Sequence, residues 1–223
     1  DGGAGAVTML CMSRSSYSRV RTASGALLVL IAVVAVVFNL TEARLEDKAA
    51  KEAQQALELS LNLAGRSENS SDPAVSDSSL PAVTTSIPKY SEGEALGVIT
   101  SEEGELDVVV VMGTSESSLS KGPGVFYGGA LPGQRGNTSI AGHRTSHGAP
   151  FRDIDKLSVG EGITIKTEYG DFRYRVTGSE IINPKEVRVL SDKSGADLTL
   201  IACHPLNSTK QRIVVTAKME VVK

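Results

Sequence analysis

The chain has no tryptophan, only two cysteines, and few aromatic residues, which make up 4% of its 223 residues. Two cysteines are too few for a disulfide framework or a four-thiolate zinc site. The formal net charge is −3, from 23 basic and 26 acidic residues, so the sequence lacks the basic surface expected of a nucleic-acid-binding protein. Hydrophobic residues still make up 40% of the chain, which is enough to build a folded core and excludes global disorder.

Charge is absent from residues 23–40, ASGALLVLIAVVAVVFNL, and this segment is predicted to be a transmembrane signal-anchor. At about 1.5 Å per residue, a helix of this length spans roughly 27 Å, close to the apolar thickness of a bilayer. Basic residues precede the segment and acidic residues follow it: Arg14, Arg19 and Arg21, then Glu42, Glu46 and Asp47. The positive-inside rule therefore predicts a cytoplasmic N-terminus and an extracellular remainder. A signal peptide cleaved after Ala43 and a buried core helix are the alternatives.

Composition predicts four further regions. Residues 1–22 form a cytoplasmic tail, and residues 41–64, rich in Ala, Glu, Gln and Leu, form a helical stalk that stops near Gly65. Residues 65–92, rich in Ser and Pro, form a flexible linker. Residues 93–223 form a small all-β domain, because short strand-like runs alternate there with turn residues. These runs are Leu106–Met112, Thr138–Ala141, Gly162–Lys166, Arg173–Ile182, Asp197–Cys203 and Gln211–Lys218.

Cys203 is the candidate nucleophile. It ends the run DLTLIAC, and Pro205, two residues later, prevents the strand from continuing. The other cysteine, Cys11, would lie across the membrane, so Cys203 has no disulfide partner in the exported domain. An unpaired exported thiol is prone to oxidation unless it is used chemically. A buried, purely structural cysteine is the alternative.

His143 and Arg212 are the candidate partners of this thiol. His143 leaves the strand-like run TSIAG at the start of the loop HRTSHGAPF, a suitable place for a general acid and base. Arg212 opens the strand after Cys203, and a hairpin would bring both residues to one end of the sheet. There its guanidinium could stabilise a developing oxyanion. Arg144 and Arg152 are the alternative arginines.

The segments TLIAC (199–203) and IAGHR (140–144), followed by Arg212, resemble the bacterial sortases. The resemblance covers most of residues 93–223. It implies a closed eight-stranded β-barrel in which Cys203 is the nucleophile, His143 the catalytic histidine and Arg212 the essential arginine. The residues after Cys203 and after His143 most resemble the actinobacterial class E enzymes.

A sortase of this kind would cleave a C-terminal sorting signal (LPxTG or LAxTG) between Thr and Gly through a Cys203 thioester. It would then transfer the secreted protein to a cell-wall amine, such as that of a peptidoglycan precursor. Thr199, Ala202 and His204, around the nucleophile, are expected to contact substrate, although the family pattern has Thr where Ala202 stands. No cofactor is implied, and activation by calcium stays open.

The aromatic residues near His143 suggest a substrate groove. Phe126 and Tyr127 begin the loop 126–131, and Phe151 ends the histidine loop. These side chains are expected either to line the groove or to belong to the core.

Two other functions stay open at this point. A zinc-dependent hydrolase would use His143, His147 and Cys203 as ligands, although the Gly and Pro of the histidine loop disfavour the helix that an i, i+4 pair needs. A membrane-tethered β-domain without catalytic activity would bind peptide only.

Overall fold

The computed structural model of the protein describes residues 14–68 and 89–220. The chain divides into two units, which meet between Arg44 and Leu45. A long helix, α1 (Arg14–Glu68), precedes eight strands and a short helix, α2 (Glu116–Leu119). The strands are β1 (Ala95–Ser101), β2 (Asp107–Met112), β3 (Gly124–Val125), β4 (Gly136–Gly142), β5 (Gly162–Thr167), β6 (Gly170–Ile182), β7 (Ala196–His204) and β8 (Gln211–Met219).

The side chains of α1 that the structure describes in the first unit are mostly apolar and unpacked. Every side chain described between 28 and 44 is exposed, including large aliphatic residues such as Leu28 and Ile31. The helix is long and apolar enough to cross a membrane by length and composition. A helix pairs its backbone groups within itself, so an apolar helix of this kind suits a bilayer better than water.

The helix runs beyond its expected end. It continues through Gly65 to Glu68, because one glycine costs a helix only about 1 kcal/mol relative to alanine. Of the expected linker 65–92, residues 69–88 lie outside the described residues, as does most of the expected tail 1–22.

In the second unit the eight strands close into a barrel in the order β1-β2-β3-β4-β7-β8-β6-β5. The pairs β2–β3 and β4–β7 are parallel, and the remaining neighbours are antiparallel. The predicted closed eight-stranded β-barrel is therefore confirmed. All six strand-like runs found in the sequence are strands, whereas β1 and β3 have no counterpart among those runs.

Two apolar clusters lie on opposite faces of the barrel wall. The barrel core is filled by aliphatic side chains and two fully buried aromatic residues, Phe151 and Tyr174. Because side chains alternate along a strand, neighbouring positions face outward. There a smaller outer cluster forms, which consists of Ile182, Val189, Ile201 and Val214, with Phe126 and Leu190 packed against it.

The C-terminal half of α1, which belongs to the second unit, packs on the barrel. Ala50 is buried, and the Gln54 side-chain amide bonds to the backbone of β2. Its Oε1 accepts a hydrogen bond from Val109 N at 2.8 Å, and its Nε2 donates to the carbonyls of Val109 and Lys121. This amide thus provides hydrogen-bond partners for the backbone of Val109, which lies two residues before the pairing of β2 with β3 begins at Val111.

Candidate active site

Three neighbouring strands bring His143, Cys203 and Arg212 together. Cys203 of β7 pairs directly with Arg212 of β8 in the antiparallel ladder. On the other side of β7, Gly142 of β4 pairs with Ala202 in parallel register, and His143 is the next residue. The three residues therefore lie side by side at one end of the barrel, with Cys203 in the middle. The predicted hairpin of β7 and β8 is confirmed.

The alternation of side chains places the three residues on the same face. Ala202 of β7 and Ile213 of β8 point into the barrel core, so their neighbours Cys203 and Arg212 point outward. On β4, Ile140 points into the core, and Gly142, two residues later, lies on the same face. Because side chains alternate along a strand, the next residue, His143, is directed outward. The outer face at the ends of these strands is the candidate active site.

Cys203 is a free cysteine, and the residue is partly exposed. Ile201, two residues before it on the same face, belongs to the outer cluster together with Val214 of β8. Cys203 thus lies at the edge of an apolar surface. This arrangement differs from that of a structural cysteine, which is normally buried.

The guanidinium of Arg212 is held at the turn between β7 and β8. Its Nη1 donates to the carbonyls of Thr209 and Gln211, both at 2.9 Å. Within residues 89–220, its hydrogen bonds come from Nη1 alone, so Nε and Nη2 are available for an acceptor beside Cys203. A partly buried, permanently charged donor in this position suits a developing oxyanion.

His143 is held by a loop rather than by a strand. Its carbonyl accepts a hydrogen bond from Phe151 N at 2.9 Å, which closes the loop 143–151. The Phe151 ring fills the barrel core below this closure. A Cβ at Gly142 would lie 2.6 Å from that ring, so only glycine leaves room for Phe151 directly before the histidine.

A second histidine lies against His143. The rings of His143 and His147 stack with centroids 4.8 Å apart and planes 22° from parallel. His147 has φ 52°, a left-handed conformation that is uncommon for a residue with a side chain and is enriched at functional sites. Burial lowers the pKa of His143, and the neighbouring His147 lowers that pKa further, while Glu46 of α1 raises it in part.

Arg144, the residue after His143, has its guanidinium buried beneath the loop. Its side chain is 1% exposed, and its Nη2 forms an ion pair with Asp155 Oδ2 at 2.8 Å. Nε and Nη2 also donate to the carbonyl of Arg152 at 3.0 and 2.9 Å. Arg152 contributes this carbonyl, whereas its own side chain is exposed.

The residues predicted to contact substrate fall into two groups. Thr199 and Ala202 are buried, and the hydroxyl of Thr199 donates to Asn137 Oδ1 at 2.8 Å. In this structure both side chains therefore support the sheet and present no surface to a peptide, because Ala202 faces the core and Thr199 lies under a polar network. His204, next to the nucleophile, is partly exposed.

The aromatic residues also divide. Phe126 is partly buried against the outer cluster, and Tyr127 is 53% exposed, so both can be reached from solvent. Phe151 is fully buried, which confirms the core interpretation for that residue alone. Sequence reasoning missed two features of this region: the contacts of Arg144, and the packing of α1 near the histidine loop, where Gly148 N donates to Asp47 Oδ1 at 3.0 Å. No sequence pattern indicated either contact.

The geometry does not favour zinc binding by the two histidines. Stacked imidazoles direct their nitrogen lone pairs in nearly parallel planes, and these do not converge on one ion. In the part of the chain that the structure describes, no group of three or more His, Cys, Asp or Glu side chains is placed to hold a metal ion.

Cys203 lies between a histidine and an arginine at the rim of a closed β-barrel, an arrangement that suits acyl transfer through a thiol. The profile of the sortase domain matches residues 99–220, more than half of the chain. Sortase SrtE1 of Streptomyces coelicolor is 34% identical over 133 residues, which cover 52% of this chain and 38% of that protein. The chain belongs to the sortase family, a family of cysteine transpeptidases.

Solved structures agree with this assignment. A Clostridium perfringens sortase D5 transpeptidase aligns with a TM-score of 0.55 and 32% identity, covering 60% of this chain and 83% of that one. Sortase E1 from Streptomyces coelicolor, solved with a tripeptide in its active site, aligns with a TM-score of 0.54 and 28% identity over 60% of this chain and 92% of that one. The predicted family is confirmed, and its relatives include class E enzymes beside those of other classes.

Proposed function

We propose that the protein is a membrane-anchored sortase that cleaves a C-terminal sorting signal between Thr and Gly and transfers the protein to a cell-wall amine. The signal is of the LPxTG or LAxTG type, and the amine is that of a peptidoglycan precursor or of the wall. The observation that carries the proposal is the meeting of His143, Cys203 and Arg212 on one outer face of three adjacent strands.

In the first step the Cys203 thiolate attacks the carbonyl carbon of the signal's Thr. A carbon–sulfur bond forms, and the carbonyl oxygen becomes an oxyanion, to which Arg212 donates hydrogen bonds. As the oxyanion collapses, the Thr–Gly carbon–nitrogen bond breaks. His143, protonated at this stage, gives its proton to the departing Gly amine. The products are a Cys203 thioester and a free C-terminal fragment.

In the second step an acceptor amine attacks the thioester carbonyl. His143, now neutral, takes a proton from the amine, and collapse of the second oxyanion expels the Cys203 thiolate. A new amide bond forms, and the thiolate and the protonated histidine are restored together. Water competes with the amine, so slow hydrolysis of the signal is expected when no acceptor is present.

The outer cluster supports the binding of an apolar peptide segment. It begins next to Cys203 at Ile201 and extends over β8 at Val214. Phe126 packs against it, and the exposed Tyr127 follows Phe126. The apolar residues that precede Thr in a sorting signal would lie along this surface, with Tyr127 near the motif's second position, Pro or Ala.

Helix α1 supports the placement of the enzyme at the membrane. Its apolar residues are exposed from position 28 to position 44. Three basic residues, Arg14, Arg19 and Arg21, come before the apolar segment, and Glu42, Glu46 and Asp47 come after it. This asymmetry favours a cytoplasmic N-terminus and a catalytic domain on the cell-wall side. Protease added to intact cells should therefore digest the domain, whereas full protection would contradict this topology.

Trapping of the acyl-enzyme tests the proposed function. The full chain in detergent is incubated with LPxTG and LAxTG peptides, and mass spectrometry follows the mass added to Cys203. Cys203→Ala should abolish the adduct without lowering the melting temperature, because the side chain is partly exposed. A peptide-binding domain without activity would keep its peptide affinity in the same variant and form no adduct in the parent protein.

A further inference from the structure

Arg144 connects the two halves of the candidate active site. Its Nη1 lies 3.5 Å from the carbonyl oxygen of Cys203 and 3.4 Å from Nδ1 of His204. Its other nitrogens bind the Arg152 carbonyl and Asp155, as described above. A single buried guanidinium thus reaches the strand that carries the nucleophile and the loop that carries the histidine.

The contact with His204 has a defined direction. A guanidinium has only donors, so Nδ1 of His204 is the acceptor in this hydrogen bond. His204 is the residue directly after the nucleophile. The end of β7 is therefore oriented by the same side chain that orients the histidine loop.

From these contacts we propose that Arg144 is a positioning residue, which sets the distance between the His143 imidazole and the Cys203 thiol. The proposal rests on the proposed roles of His143 and Cys203. Arg144 itself does not touch the reacting atoms, because its guanidinium lies beneath the loop with 1% of its side chain exposed. It acts through the Cys203 carbonyl and the Arg152 carbonyl.

The physical basis is the fixed shape of the guanidinium. Its planar set of five donors can serve acceptors in several directions at once, whereas an ammonium group is a compact point charge. Burial excludes competing water, which strengthens each contact and makes its loss more costly. Proton transfer needs heavy atoms within about 2.6–3.2 Å, and a misplacement of about 1 Å can slow a reaction on the order of 10²-fold.

The test compares Arg144→Lys and Arg144→Gln with Arg188→Lys and Arg188→Gln in the full chain. Arg188 is a matched control, since it also binds carboxylates but is exposed on the surface. For each variant, kcat and KM for peptide cleavage, the melting temperature, and the rate of Cys203 alkylation by iodoacetamide are measured. Alkylation is measured well above the usual pKa of a thiol, about 8.5, where a cysteine is ionised wherever the histidine lies, so the rate reports accessibility alone.

We expect Arg144→Gln to lower kcat on the order of 10²-fold while KM and the alkylation rate change less than about twofold. Arg144→Lys should recover part of the loss, because lysine retains the charge for Asp155 but not the fork of donors. The Arg188 variants should leave kcat unchanged. The proposal is overturned if kcat falls only in proportion to the folded fraction of the variant. It is also overturned if the alkylation rate falls by the same factor as kcat.

If both Arg144 variants fail to fold, Asp155→Asn addresses the same point, because the guanidinium then loses its counter-ion. The proposal expects a lower kcat at unchanged KM; a lower melting temperature with unchanged kcat overturns it. The parent protein separates this outcome from failure of the proposed function. If the parent forms no Cys203 adduct, the proposed reaction is wrong. If the parent acylates and the Arg144 variants acylate equally fast, only the positioning role is refuted.

Discussion

The two sides of the candidate active site are held by different kinds of structure. Cys203 and Arg212 are direct partners in the ladder between β7 and β8, so backbone hydrogen bonds fix their separation. His143 lies just beyond the end of β4, in a loop that depends on single contacts from Phe151, Arg144 and Asp47. The strand side should tolerate changes in neighbouring side chains, whereas the loop side should be sensitive to them.

Because of this difference, a substitution can remove a functional group on the strand side, whereas on the loop side it can move one. On the strand side a substitution at Arg212 removes a functional group and leaves the ladder intact, because the ladder is made by the backbone. On the loop side a substitution at Phe151 leaves every functional group in place but moves one of them. Activity and stability should therefore respond differently on the two sides.

The largest of these effects is expected for Arg212→Ala. Loss of one oxyanion donor costs on the order of 10²–10³ in rate, so acylation of Cys203 should slow by about that factor. The melting temperature should change little, because among the described residues the guanidinium binds carbonyls of its own turn alone. Single-turnover acylation followed by mass spectrometry, with thermal unfolding alongside, measures both quantities.

Arg152→Ala is the matched control, since Arg152 is exposed and its carbonyl, which binds Arg144, is retained in any variant. Its acylation rate should equal that of the parent. If Arg212→Ala acylates at the parent rate while Arg152→Ala loses acylation, the assignment of the oxyanion contact to Arg212 is wrong.

The same contrast explains how much could be predicted from sequence. Cys203 and Arg212 end and begin strand-like runs, and the pairing of adjacent strands in a hairpin follows from chain order. The six strands with a strong β-branched pattern were found. β3 was missed because two residues between turn-forming glycines carry no periodicity, and β1 because Gly97 interrupts its apolar run.

The contacts of the histidine loop could not be predicted in the same way. Arg144 next to a histidine could equally be a surface residue, which is the usual fate of an arginine. Its burial depends on Asp155 and on two carbonyls, one of them 59 residues away in the chain. The approach of Asp47 spans 101 residues. Neither separation leaves a local pattern in the sequence.

A smaller effect is expected for Phe151→Leu, which tests the loop side. The Phe151 ring fills the core directly beneath Gly142, so a smaller side chain lets the loop and His143 shift. Since a 1 Å shift can cost about 10²-fold, a partial shift should lower kcat about tenfold. Cleavage kinetics measured well below the melting temperature would show this loss.

Ile163→Val serves as the control for Phe151→Leu. Ile163 is fully buried in the barrel core on β5, away from the paired ends of β4, β7 and β8, and the change should cost about 0.5–1.5 kcal/mol of stability. It should leave kcat unchanged. Equal kcat values for the two variants would mean that the loop is held as firmly as the strands are.

The smallest expected effect concerns the pKa of His143, which tests whether its neighbours tune it with opposite signs. His147→Phe keeps the stacked ring but removes the charge that lowers this pKa, so the pKa should rise. Glu46→Gln removes a charge that raises it, so the pKa should fall. Titration of the His143 ring signals by NMR measures both changes.

The direction of each shift has a kinetic consequence. Acylation needs the protonated form of His143, so a higher pKa extends activity to higher pH and a lower pKa restricts it. The native pKa lies below the ordinary value of about 6.5, so the unfolded state binds more protons between the two values. Stability should therefore fall as the pH drops from about 6.5 towards the native pKa, and His147→Phe should reduce that fall. If His147→Phe and Glu46→Gln shift the pKa of His143 in the same direction, the shifts come from changed burial of the ring and not from the removed charges.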